Sequence, residues 1–91
     1  MRKSYLFVYS DDLGTREQVK DCVDSLREVI HWKYDMPNCF YLISENSAVR
    51  LAELIRGVLG NHRFLITEIK GDNKQGWLPQ STWDLINKKR R

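Results

Sequence analysis

Two hydrophobic periodicities alternate along this chain in the order β-α-β-β-α-β, and that order restricts its fold more than any other feature. Ser4-Tyr-Leu-Phe-Val-Tyr-Ser10 is rich in aromatic and β-branched residues and is closed by the turn formers Asp11-Asp-Leu-Gly14, which predicts a buried first strand. Thr15 and Gln18 stand at capping-box spacing, and Val19, Cys22, Val23, Leu26 and Ile30 recur at the intervals of one helical face, so a helix is expected from Thr15 to near Val29. His31-Trp-Lys-Tyr-Asp35 and Cys39-Phe-Tyr-Leu-Ile43 flank Met36-Pro-Asn38 and read as a hairpin. Asn46 or Ser47 can cap a second helix striped by Ala48, Leu51, Ala52, Ile55, Val58 and Leu59 and stopped by Gly60. Arg63 to Ile69 forms a fourth strand, Gly71 to Gly76 a polar loop, and Gln80 to Asn87 a short helix capped by Ser81 or Thr82. The expected fold is α+β: a ferredoxin-like sandwich of four antiparallel strands with two helices on one face, residues 1–87 forming one domain and 88–91 a basic tail.

The chain has 91 residues, 42% apolar and 30% charged, a balance that supports one folded domain near the size where a partner subunit often adds stability. Its formal charge is +3, yet without the terminal run Lys88-Lys-Arg-Arg91 the remaining basic residues fall one short of the twelve acidic ones. The basicity is therefore expected in a tail rather than on a folded face. Cys22 and Cys39 have no metal-ligand or redox spacing and are expected as buried free thiols in a reducing cytosol. The apolar run Tyr5 to Tyr9 is too short for a signal peptide, and no window is long enough to span a membrane, which points to a cytoplasmic protein.

Candidate chemistry clusters around turns. In the expected ferredoxin-like strand order, strands one and three are taken to lie side by side and parallel, so Ser10, Asp11 and Asp12 approach Ser44 and Glu45, with His31 and His62-Arg63 in the same neighbourhood. Such carboxylates and histidines could hold Mg²⁺ or Mn²⁺, with Asp11 and Glu45 as ligands and Asp11, Asp12 and His31 as catalytic candidates acting on a phosphodiester. The competing structural explanation is stronger: carboxylates before helices stabilise the dipole, and Asp with Gly is ordinary turn chemistry.

Alternation puts Tyr5, Phe7 and Tyr9 on one side of the first strand. That side is expected as the open face without helices, where it can stack unpaired bases or bury itself against a second copy of the chain, and a homodimer is the better expectation because strand three lacks the basic-Gly-aromatic pattern of RNA-recognition modules. Trp77 and Trp83 are expected to clamp the C-terminal segment onto the body or onto a partner subunit.

Trp32-Lys-Tyr-Asp-Met-Pro-Asn-Cys-Phe-Tyr-Leu-Ile43, Phe64-Leu-Ile-Thr-Glu68 and Gly76-Trp-Leu-Pro-Gln-Ser-Thr-Trp-Asp84 together resemble the short bacterial proteins of the SinR family, a label that implies little about function. No helix-turn-helix is present, so the resemblance brings no repressor role. In length and element order the chain is more distantly similar to the superfamily of VapD toxins and CRISPR-associated protein 2. That resemblance implies a homodimeric ferredoxin-like fold and, in some members, metal-dependent cutting of RNA or DNA by an Asp that follows an aromatic residue at the end of strand one. Here Tyr9 is followed by Ser10, and the carboxylates come at Asp11 and Asp12. The functional expectation is a homodimeric, non-catalytic module that binds a protein, RNA or DNA partner; the alternative is a metal-dependent endoribonuclease.

Overall fold

The computed structural model describes residues 1–89. Four strands, β1 (Lys3–Tyr9), β2 (His31–Met36), β3 (Cys39–Ser44) and β4 (Phe64–Ile69), form one sheet in the order β2-β3-β1-β4, and every neighbouring pair is antiparallel. Three helices accompany it: α1 (Arg16–Ser25), α2 (Ala48–Leu59) and α3 (Gln80–Lys88). A single 3-10 turn at Asp11–Leu13 links β1 to α1.

Local chemistry accounts for most boundaries. The Thr15 hydroxyl accepts from the Gln18 amide while the Gln18 side chain accepts from the Thr15 amide, so two otherwise orphaned donors are satisfied at the start of α1. Ser47 caps α2 by accepting from the Arg50 amide at 3.1 Å. Gly60, at φ 90°, ends α2 in a conformation that side chains disfavour. The β2–β3 hairpin turns at Pro37-Asn38, where Asn38 takes the left-handed conformation at φ 55° that asparagine tolerates.

Two boundaries differ from expectation. α1 stops at Ser25, about a turn before Val29: the Leu26 amide bonds back to the Val23 carbonyl, and Ile30 is drawn into pairing with β3 through its amide and the Ile43 carbonyl at 2.7 Å. α3 is entered through Pro79, and neither Ser81 nor Thr82 caps it; Thr82 is fully buried and donates to Asp35 instead. Lys88 closes this helix, and Arg90 and Arg91 of the expected tail lie outside the described residues.

The core has two layers. Tyr5, Phe7 and Tyr9 of β1 join Phe40 and Leu42 of β3, Val19, Cys22 and Val23 of α1, and Leu51 and Ile55 of α2. The aromatic side of β1 is thus the side beneath α1 and α2, not an open face, and Phe7 has no exposed surface. Alternation groups these residues on one face, but it says nothing about which face the helices cover; the aromatic face offers the helical stripes the larger apolar area to bury. On the reverse face α3 brings Leu85 and Ile86 against Cys39, Tyr41 and Ile43, with Leu6, Val8, Leu78 and Trp83 at the margin. Both cysteines are buried and unpaired as thiols, and burial raises the pKa of each. No helix among the described residues is long and apolar enough to cross a membrane.

Candidate functional site

β1 and β3 run antiparallel, because β2 returns from α1 parallel to β1 and the hairpin then reverses β3. The register sets Val8 opposite Cys39 and Lys3 opposite Ser44. The assumed parallel pairing is therefore overturned. Ser44 and Glu45 lie at the end of the sheet where β1 begins, while Asp11 and Asp12 follow the end where β1 finishes, a separation of roughly 17 Å along the strands at the usual rise. His31 pairs with Ile43 and so belongs to the Glu45 end as well. Asp11 and Glu45 do not form a common ligand pair within the chain, and Asp11, Asp12 and His31 do not converge on one point.

The residues that do surround the two aspartates are local. Asp11 accepts from the Asn38 side chain at 2.7 Å. Asp12 accepts from the Ser10 hydroxyl and has His62 Nδ1 4.0 Å away. The Ser10 hydrogen bond, followed by the nearby His62 and Arg63 charges, lowers the Asp12 pKa although the carboxylate is exposed to solvent. Glu45 is exposed on the turn before α2. No three His, Cys, Asp or Glu side chains among the described residues are grouped as a metal would require. These carboxylates have the geometry of turn and helix-entry residues.

A different group of side chains converges at the opposite end of β1. Ser4 of β1 pairs with Ile69 of β4, so the residues just before β1 and those just after β4 meet. α3 crosses the same end, where the Ser4 hydroxyl donates to the Ile86 carbonyl at 2.6 Å and Arg2 Nη1 to the Lys89 carbonyl at 3.3 Å. The result is an open cleft of about 910 Å³. Arg2, Lys3, Lys70, Lys74 and Lys89 line it, against only Glu68 and Asp72 as acids. Trp83 forms part of its wall, and Lys74 is held toward the loop by donating to the Gly71 carbonyl at 2.5 Å.

The expectation that basicity resides in the tail alone is thereby corrected. The cleft's cations come from three stretches of sequence: Arg2-Lys3 and Lys70 with Lys74, too short to register as charge runs, and Lys89 of the expected basic tail; the antiparallel pairing of β1 with β4, crossed by α3, assembles them. The legible signal was topological: in a sheet where the first and last strands are antiparallel neighbours, whatever precedes one lies beside whatever follows the other. Of the two tryptophans expected to clamp the C-terminal segment onto the body or onto a partner subunit, Trp83 packs into the reverse-face core, whereas Trp77 is 94% exposed and clamps nothing among the described residues.

No family model matches this sequence, and neither a curated protein nor a solved structure was found to match it.

Proposed function

We propose that this protein is a homodimeric, ferredoxin-like, non-catalytic module that binds nucleic acid through the basic cleft between the start of β1, the end of β4 and α3. The ferredoxin-like assignment is supported by the strand order β2-β3-β1-β4, with α1 and α2 each connecting strands that are not neighbours. The cleft carries the functional reading. Five cationic side chains opposed by two acidic ones form a surface whose field favours a polyanion, and a phosphate backbone offers regularly spaced negative charges to such a groove.

The dimer no longer rests on Tyr5, Phe7 and Tyr9, which are buried in the core. It is supported instead by β4, whose outer edge has no partner strand in the sheet and whose Leu65, on the face away from α1 and α2, is 58% exposed. Antiparallel pairing of two such edges satisfies their backbone groups and shields Leu65.

The test is binding of labelled RNA and DNA by fluorescence anisotropy at 50 and 200 mM salt, with Mg²⁺ present or absent and the oligonucleotides inspected for cuts. Binding that weakens with salt, collapses in a Lys70→Glu/Lys74→Glu protein and leaves the strands intact is the expected result. Binding unaffected by the charge reversal would remove the cleft from the account. Metal-dependent cutting would restore the endoribonuclease alternative, and absence of binding at either salt would direct the search to a protein partner.

A further inference from the structure

We infer that the strand taken by this cleft is single-stranded, with Trp77 as the platform on which an unpaired base stacks; the inference rests on the nucleic-acid reading of the cleft. Trp77 is the one large aromatic side chain that the described fold leaves almost wholly in water, at 94% exposure. Exposing that much indole contributes nothing to the core and is a liability for solubility, so packing within the chain does not explain it.

Its position is constrained from both sides. Gln75, two residues earlier, lines the basic cleft, and Leu78, the next residue, packs with Trp83 and Ile69 against the reverse-face core. Two steps of chain place the Trp77 backbone within about 7 Å of that of Gln75, beside the cleft rather than remote from it. Cations that track phosphates next to an aromatic face open to solvent are the two components of single-strand binding surfaces, where every base supplies a π-face and sequence matters little. A duplex keeps its bases stacked on one another and presents only phosphates and groove edges, so it can engage the lysines but leaves Trp77 idle.

The experiment compares the unsubstituted protein with Trp77→Ala and Trp77→Phe on 12-nucleotide oligo(U) and oligo(dT) and on 12-base-pair RNA and DNA duplexes, with thermal melts to verify the fold. Tighter binding of the single strands is expected. Trp77→Ala should weaken that binding by roughly 5- to 100-fold, Trp77→Phe by much less, and duplex binding should be unchanged by either. Comparison of oligo(U) with oligo(dT) assigns the strand to RNA or DNA. Single and double strands bound equally, with Trp77→Ala without effect, would overturn the stacking role while leaving the basic cleft in place. Failure to bind any of the four would instead overturn the nucleic-acid reading itself.

Discussion

The Ser4 hydroxyl donates to the Ile86 carbonyl at 2.6 Å, a buried bond that joins the first strand to the last helix across 82 positions of sequence. It satisfies a carbonyl in the final turn of α3, where helical partners run out. It also sets the cleft, because Arg2 and Lys3 adjoin one partner and Asn87 to Lys89 adjoin the other. Ser4→Ala leaves that carbonyl buried without its donor and is expected to lower stability by about 1–2 kcal/mol, or roughly 5–10 °C in Tm for a domain of this size. Urea or thermal unfolding measures it, with the exposed Ser81→Ala as a near-neutral control. Equal Tm values for the two variants would show that the bond does not hold α3.

Salt titration should report the number of cleft contacts. If about four of the five cations meet phosphates, log Kd should rise with log salt at a slope near 3, a loss of roughly 50-fold in affinity between 50 and 200 mM. Lys70→Ala is expected to reduce that slope by about 0.7. An unchanged slope would mean that Lys70 faces solvent in the complex.

Alkaline conditions should weaken the fold. Burial raises the Cys22, Cys39 and Tyr41 pKa values, and for Tyr41 the adjoining Cys39 and Asp35 push in the same direction. A group whose pKa is raised by folding holds its proton better in the native state, so its contribution is complete below the unfolded pKa and declines as pH climbs above it. With unfolded thiols near 8.5 and tyrosine near 10, Tm should begin to fall at about pH 9 and fall faster above pH 10. In Tyr41→Phe the decline above pH 10 should be shallower than in the unsubstituted protein; identical pH profiles would exclude Tyr41 as a source.

Light scattering tests the dimer. The unsubstituted protein is expected at about twice the 10.8 kDa of the chain, and Leu65→Glu, which places a charge on the exposed face of the β4 edge, at the monomer mass. Leu65 is more than half exposed, so the substitution should leave the monomer folded. A dimer that survives it would place the interface elsewhere.

Local chemistry in the sequence was enough for most of the element list, since most starts and stops depend on neighbours within a few residues; the end of α1 and the entry to α3 instead involve distant partners, Ile43 and Asp35. The Thr15–Gln18 capping box, the Ser47 cap, the Gly60 stop and the Pro37-Asn38 turn all act at that range. Alternation likewise grouped Tyr5, Phe7 and Tyr9 on one side of β1. Relations between distant segments were decided only by the tertiary structure. The sense of the β1–β3 pairing separated Asp11 from Glu45 and His31 and so dispersed the expected metal site. The choice of face for α1 and α2 turned an expected docking surface into core. Pairing of β1 with β4, sealed by Ser4 and Ile86, gathered cations from residues 2 to 89 into one cleft. Periodicity describes how a segment repeats along its own axis, whereas a site is made where segments meet, and that depends on strand sense, register and the helix face that buries the most apolar surface.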